Sequence, residues 1–249
     1  MIEILENGEA DAEQRIQAVF GLLKDESPEA FAALSKTLTD DPSPIVRHEA
    51  AYVLGEKGTE EAITCLIQSI KHDPNDFVVH EAALALGNTR DQRAKEVLEE
   101  LLNHHKQDVI QTAQIALDRL QPIEITDAEK VILDLEQRPE DRIQASFLLM
   151  SEGSLKSVQV LLDALYQEVN PIVKHEIIFS LGETAADIVV PELCNIIEEG
   201  GNRFVVHEAA LALATLGDLK AETAISSLLN HPNPDVAETA EIALLRLKS

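Results

Sequence analysis

Residues 44–58 read PIVRHEAAYVLGEKG, and residues 76–90, which follow at a spacing of 32 positions, read DFVVHEAALALGNTR. Two weaker copies of the same pattern occupy residues 13–27 and 107–120. A segment that recurs at a fixed spacing of this length is the sequence signature of a repeat architecture. Because a repeat of 32 residues is the right length for a pair of helices, the spacing predicts stacked helix pairs, which form an α-solenoid.

A longer repeat relates the two halves of the chain. The ten residues FVVHEAALAL at 77–86 reappear without change at 204–213, an offset of 127 positions. Combined with the shorter spacing, this duplication predicts eight repeats in two halves of four. We predict an N-terminal half at 1–120, a linker at 121–130 (QPIEITDAEK) and a C-terminal half at 131–249. The equivalent positions of the eight repeats are Ile16, His48, His80, Thr112, Ile143, His175, His207 and Thr239.

Each repeat is predicted to contain two helices. In the second repeat, Ser27 is a suitable N-cap and Pro28 suits the first turn of the first helix. Pro42 and Pro44 then interrupt the chain, and a second helix is expected to run to Gly55, which we interpret as its C-terminal stop. No alternation of the β type extends over a useful length, so the fold class is predicted to be all-α.

The composition limits the classes of partner. The 249 residues include 20 Lys and Arg against 45 Asp and Glu, which gives a formal net charge of -25. An acidic surface repels the phosphates of nucleic acids, so no nucleic-acid partner is expected. The same charge favours association with a basic protein.

The location of the protein is predicted from features that the sequence lacks. Its two cysteines, Cys65 and Cys194, lie far apart and do not suggest a disulfide scaffold, which favours a reducing compartment. The acidic N-terminus does not read as a signal peptide. No apolar run approaches the roughly 18 residues of a membrane span. We expect a cytoplasmic monomer that has no membrane partner.

Four His-Glu pairs occupy one equivalent position in the middle repeats of both halves. The pairs are His48-Glu49, His80-Glu81, His175-Glu176 and His207-Glu208. The outer repeats carry other residues there, namely Ile16-Gln17, Thr112-Ala113, Ile143-Gln144 and Thr239-Ala240. A general bias of surface composition would not follow this boundary. The other histidines, at predicted helix ends, are expected to be ordinary surface residues.

The placement of these pairs predicts a metal site. Neighbouring solenoid helices lie about 8–10 Å apart, so His48 and His80 can approach one point, as can His175 and His207. Two histidines and one carboxylate form the ligand set of non-haem Fe(II) oxygenases, although the same set also serves catalytic zinc. Two such sets that face each other would make a dinuclear centre.

The motifs also resemble two known groups of proteins. The pattern P-x-V-R-x-x-A-A-x-x-L-G resembles the HEAT repeat, which implies that the second helix of each pair lines the concave side. The contexts PIVRHEAAYVLGE at 44–56, NPIVKHEIIFSLGE at 170–183 and FVVHEAALALG at 77–87 resemble the motifs of the deoxyhypusine hydroxylase family. That family has two halves of four HEAT-like repeats with four His-Glu motifs.

The second resemblance implies an activity and a set of roles. It implies a monooxygenase with a non-haem centre of two Fe²⁺ ions that uses O2 to hydroxylate the deoxyhypusine side chain, a polyamine-modified lysine, of a basic translation factor. The residues that the resemblance assigns to iron are His48, His80 and Glu81 for one ion and His175, His207 and Glu208 for the other. It assigns Glu49 and Glu176 to the binding of substrate amines.

Other functions agree with parts of the sequence. A HEAT-like scaffold without catalytic activity would bind a partner on its concave face, and a hydrolase could use the same ligands with zinc. A chromophore lyase is a third alternative, since some of these enzymes contain HEAT-like repeats. The segment Gln121–Lys130 is shorter than the linker of the family that the chain resembles, so a different amine-bearing substrate also stays open.

Overall fold

The computed structural model describes residues 1–7, 9–120 and 124–248. These residues form sixteen α-helices with short 3₁₀ turns, and no strand occurs among them. The helices are α1 (Ile2–Glu6), α2 (Ala12–Gly21), α3 (Pro28–Asp40), α4 (Pro44–Lys57), α5 (Glu60–His72), α6 (Asp76–Thr89), α7 (Ala94–Leu101), α8 (Gln107–Arg119), α9 (Ala128–Leu133), α10 (Pro139–Glu152), α11 (Leu155–Gln167), α12 (Pro171–Glu183), α13 (Val190–Glu199), α14 (Arg203–Leu216), α15 (Glu222–Ser227) and α16 (Pro234–Lys248).

The helices form eight successive pairs, which confirms the predicted all-α solenoid. The chain divides into two compact units, Met1–Pro122 and Ile123–Ser249. In the first unit, the second helices of the pairs pack in series, α2 on α4, α4 on α6 and α6 on α8. The first helices α1, α3, α5 and α7 form another layer. In the second unit, α10, α12, α14 and α16 pack in the same order. Each half is therefore a two-layered array of helices.

Side-chain caps fix where the helices begin. The Ser27 hydroxyl accepts a hydrogen bond from the backbone N–H of Ala30 at 3.2 Å, and Pro28 is the first residue of α3, as predicted. The four helices that carry His-Glu pairs are capped in the same way. Their capping residues, each five positions before the histidine, are Ser43, Asn75, Asn170 and Asn202. A shared starting point gives the four histidines the same place on their helices.

The prediction that Gly55 ends its helix was wrong. Helix α4 continues to Lys57, and Gly58 forms the C-cap in the left-handed conformation with φ +58°. Gly55 is instead the point at which α4 and α6 approach closely, because a Cβ atom there would lie 2.6 Å from the Cβ of Ala85. Its missing side chain serves the packing of two helices and not a turn.

Ion pairs that are partly or fully buried connect successive repeats. The Arg15 guanidinium donates to both carboxylate oxygens of Asp41, at 2.8 and 3.0 Å. Arg47 binds Asp73 with the same two distances. A comparable pair, Arg142 with Glu168, lies in the second half. Each pair joins the second helix of one repeat to the loop that follows the next first helix, which fixes the spacing of repeats.

The predicted linker at 121–130 stays a prediction, since residues 121–123 lie outside the described part of the chain. Helix α9 begins within this segment at Ala128. Among the described helices, none combines the length and the apolar character that crossing a membrane requires.

Candidate metal centre

The four His-Glu pairs are buried in the helix arrays. All eight side chains belong to residues with at most 6% of their surface exposed, and His80 and His207 have none. Imidazole and carboxylate groups lose their hydration when they are buried, so such groups are normally hydrogen-bonded, paired or bound to a metal. The positions for which the sequence predicts a special role are thus buried, where an unpartnered polar group would destabilise the fold.

In the first half, α4 and α6 bring three of the predicted groups together. Nε2 of His48 lies 3.5 Å from Oε2 of Glu81, the glutamate of the next motif. Nδ1 of His48 lies 3.8 Å from Oε1 of its neighbour Glu49. Nδ1 of His80 lies 2.7 Å from Oγ1 of Thr112 on α8. The two ring edges of His48 are therefore directed at two different carboxylates.

The second half repeats this arrangement on α12, α14 and α16. Nε2 of His175 lies 3.4 Å from Oε2 of Glu208, and Nδ1 of His175 lies within hydrogen-bonding distance of Oε1 of Glu176, at 3.2 Å. Nδ1 of His207 lies 2.6 Å from Oγ1 of Thr239. The rings of His175 and His207 are almost parallel, with 6.5 Å between their centroids. Each half thus presents one buried cluster of histidine and glutamate side chains, in which the first histidine lies 3.4 to 3.5 Å from the second glutamate.

The donor atoms fit a transition-metal ion. Two ligands that each bind one ion at about 2.1 Å lie about 3.0–3.4 Å apart for angles near 90–110°. The separations of His48 Nε2 from Glu81 and of His175 Nε2 from Glu208 are 3.5 and 3.4 Å, close to this range. Nitrogen and carboxylate oxygen donors suit iron and zinc alike. The assignment of iron ligands from the sequence stays a prediction that this donor set supports.

Sequence reasoning missed Thr112 and Thr239. Both side chains are fully buried and both contact the second histidine of their half. In the sequence, these positions stand out only as places where the His-Glu motif is missing. The signal that could have found them is their identity, because the last repeat of each half carries threonine at the position of the histidines.

The remaining histidines lie apart from these clusters. His104 Nδ1 accepts a hydrogen bond from the backbone of Lys106, and His231 Nδ1 accepts one from Asn233. These two are partly exposed, while His72 and His105 are exposed. Cys65 and Cys194 are free, partly exposed thiols.

The comparisons with known proteins agree with the fold and with the motifs. Residues 1–86, 32–118 and 156–246 match the family of HEAT repeats. The chain belongs to the HEAT-repeat family. Within this family of folds, the resemblance to deoxyhypusine hydroxylases that the motifs suggested is also confirmed.

One similar protein is the deoxyhypusine hydroxylase of Gallus gallus, 28% identical over 50% of this chain and 42% of the relative. The matched segment thus spans about two fifths of the first curated relatives. The deoxyhypusine hydroxylase of Drosophila melanogaster is 28% identical over 97% of this chain and 88% of the relative. The solved structure of human deoxyhypusine hydroxylase in complex with glycerol has a TM-score of 0.84 and 26% identity, and the match covers 99% of this chain and 94% of that one.

Proposed function

We propose that this chain is a non-haem di-iron monooxygenase that uses O2 to hydroxylate a deoxyhypusine-like side chain of a translation factor. The single observation that carries the proposal is that in both halves the first histidine and the second glutamate are buried and lie close together, with nitrogen-to-oxygen separations of 3.5 and 3.4 Å. The similarity to deoxyhypusine hydroxylases over nearly the whole chain supports the identity of the substrate.

Each half would hold one iron ion. In the first half the ligands would be His48, His80 and Glu81, all buried. In the second half they would be the equivalent residues His175, His207 and Glu208. Bound iron supplies the activation of O2 that inserts one oxygen atom into an unactivated C–H bond. The chain contributes the geometry of the ligands and their shielding from water.

Glu49 and Glu176 would bind the substrate amines. Both carboxylates are buried, and both belong to the first motif of their half, outside the proposed iron ligands. A polyamine-modified lysine carries ammonium groups, and charge-assisted hydrogen bonds from ammonium to carboxylate are among the stronger polar contacts. The low dielectric of a buried site strengthens this attraction further. These two residues would therefore orient the side chain that is hydroxylated.

The charge of the chain supports a basic protein partner. A net charge of -25 produces a negative field that accelerates encounters with a cationic protein at low ionic strength. The proposal also includes a monomeric chain and a cytoplasmic location, where a translation factor is available.

The test combines metal analysis with an activity assay. Protein purified anaerobically from iron-supplemented cells should contain about two iron ions per chain, one for each cluster. A deoxyhypusine-containing translation factor should gain the mass of one oxygen atom in the presence of O2 and a reductant. His231→Ala, which alters a histidine outside both clusters, is the matched control and should keep iron and activity.

Two results would contradict the whole proposal, and a third would contradict the proposed substrate. Stoichiometric zinc without hydroxylation, after purification under the same conditions, would favour a hydrolase with the same ligands. A chain without stoichiometric metal that still binds a protein partner would favour a scaffold. Stoichiometric iron with no change in the translation factor would keep the metal centre and exclude this substrate.

A further inference from the structure

One threonine in the last repeat of each half contacts the second histidine of that half. Thr112 Oγ1 lies 2.7 Å from Nδ1 of His80, and Thr239 Oγ1 lies 2.6 Å from Nδ1 of His207. All four side chains are completely buried. The same contact therefore occurs once in each half of the chain.

The direction of each hydrogen bond follows from a second contact of the hydroxyl. Thr112 Oγ1 donates to the backbone carbonyl of Asp108 at 3.0 Å. Thr239 Oγ1 donates in the same way to the carbonyl of Asp235 at 2.8 Å. A hydroxyl group has only one hydrogen, so the oxygen that donates to a carbonyl can only accept from the imidazole. Nδ1 of each histidine must then be the nitrogen that carries a hydrogen.

This direction determines the tautomer of the ring. In a neutral imidazole one nitrogen bears the hydrogen and the other bears the lone pair. Because Nδ1 donates to the threonine, Nε2 holds the lone pair that a metal ion requires. We propose that Thr112 and Thr239 are positioning residues, which hold His80 and His207 in the Nε2-ligating tautomer before metal arrives.

The first histidine of the second half has a different neighbour. Nδ1 of His175 lies 3.2 Å from Oε1 of Glu176, a carboxylate that accepts from the ring when it is ionised. The second histidines use a neutral hydroxyl that is tied to a helix backbone and so adds no charge to the cluster. A need for an uncharged acceptor next to His80 and His207 explains why threonine occupies the histidine position in the last repeat of each half. The outer repeats thus complete the site without supplying a ligand.

The tautomer is measurable in the metal-free protein by long-range ¹H–¹⁵N NMR correlation of labelled histidines. The pH should be well above the ordinary histidine pKa of about 6.5. Wild-type His80 and His207 should both show a protonated Nδ1 and an unprotonated Nε2. If either shows a protonated Nε2 instead, the proposal is overturned, and this result needs no variant.

Substitutions then assign the effect to the hydroxyl. Thr112→Val removes the hydroxyl at nearly the same volume and should shift His80 toward the other tautomer, while His207 stays unchanged in the same spectrum. Thr112→Ser should restore the wild-type signal. The matched control is Thr37→Val, since Thr37 also donates to a carbonyl of its own helix, that of Ala33, at 2.9 Å. An unchanged His80 tautomer in Thr112→Val would contradict the proposal.

The consequence for metal binding rests on the proposed function. Fe²⁺ titration under anaerobic conditions should show roughly 10- to 100-fold weaker binding at the affected cluster in Thr112→Val, and near wild-type binding in Thr112→Ser. The tautomer result separates the two ideas. A wild-type protein that shows the expected tautomer but binds no iron contradicts the proposed function alone, whereas Thr112→Val with wild-type iron affinity contradicts the positioning role. If Thr112→Val fails to fold, Thr239→Val provides the same test in the other half.

Discussion

Helices α6 and α14 contain the same ten residues, FVVHEAALAL, but the loops before them differ. Asp73 precedes α6 and is bound by Arg47 through two hydrogen bonds. The equivalent position before α14 is Gly200, with φ +70°, and Lys174 replaces the arginine. Among the described residues, Lys174 makes no ion pair. The ten-residue segment that carries the second His-Glu pair is thus identical in the two halves, while the contacts of the loop before it are not.

The ends of the same two helices differ as well. Helix α14 stops at Gly217 in the left-handed conformation with φ +71°, the arrangement that glycine adopts at no steric cost. Helix α6 stops at the equivalent Arg90, which adopts the same conformation with φ +55° in spite of its side chain. The two copies of the segment are therefore held by different loop contacts and different helix ends. For this reason, equivalent substitutions in the two halves should change stability by different amounts.

The largest expected effect is the loss of a metal ligand. His80→Ala and His207→Ala should each reduce iron from about two ions to about one per chain, because each removes a ligand from one cluster. Metal analysis of anaerobically purified protein measures this directly. Full iron content in either variant would contradict the ligand assignment, and the loss of all iron would show that the halves do not bind metal separately.

The next effect concerns the ion pair between Arg47 and Asp73, which has no counterpart at Lys174 among the described residues. Arg47→Ala leaves the Asp73 carboxylate, which is nearly buried, without its partner and should lower the free energy of unfolding by roughly 2–4 kcal/mol. The equivalent Lys174→Ala should change it by less than about 0.5 kcal/mol. Chemical denaturation compares the two variants. Equal losses would mean that the two loops are supported to the same extent.

A smaller difference is expected between the first glutamates of the two halves. Glu176 accepts a hydrogen bond from His175 at 3.2 Å, whereas Glu49 lies 3.8 Å from His48. Glu176→Ala should weaken iron binding in its half by about 10-fold, and Glu49→Ala should have less effect on iron. Anaerobic Fe²⁺ titration measures both.

The conservative variants separate the two roles of this carboxylate. Glu176→Gln keeps an oxygen acceptor for His175 but loses the charge, so it should restore iron affinity while substrate binding stays weak. Loss of iron in Glu49→Ala as severe as that in His80→Ala would contradict the division between substrate and metal roles.

The smallest effect is expected at the helix ends. Arg90→Gly should stabilise the protein by about 1 kcal/mol, because it removes the cost of a side chain in the left-handed region. Gly217→Arg should destabilise it by a similar amount. Thermal or chemical unfolding measures both changes, and effects of the same sign in the two variants would contradict this account.

Much of the fold could be predicted from the sequence because the architecture repeats. The eight helix pairs follow from spacings of 32 and 127 positions, and the Ser27 cap follows from local chemistry. The end of α4 was predicted at Gly55 because glycine serves both as a helix stop and as a point of close helix packing. Only the position of Ala85 on the neighbouring helix distinguishes these uses.

Of the residues in the candidate site, the sequence predicted the His-Glu pairs but not the threonines that contact them. The four His-Glu pairs are visible as a pattern, and the structure shows that all of them are buried. Thr112 could not be recognised because its role depends on a hydrogen bond between two helices and on another to its own backbone. The left-handed backbone conformation of Arg90 could not be predicted either, because glycine is the residue that usually adopts this conformation at the end of a helix.

The close approach at Gly55 has a consequence for the chemistry. Gly55 and its counterpart Gly182 lie seven residues, about 10 Å along the helix, beyond the first histidine of each half. A single methyl group at Gly182 would lie 2.8 Å from the Cβ of Ala212 and would force α12 away from α14. Because those helices also carry His175 and Glu208, the distance between two of the proposed metal ligands depends on the missing side chain of Gly182, two turns away. We therefore expect Gly182→Ala to weaken the proposed metal site although every histidine and glutamate stays intact.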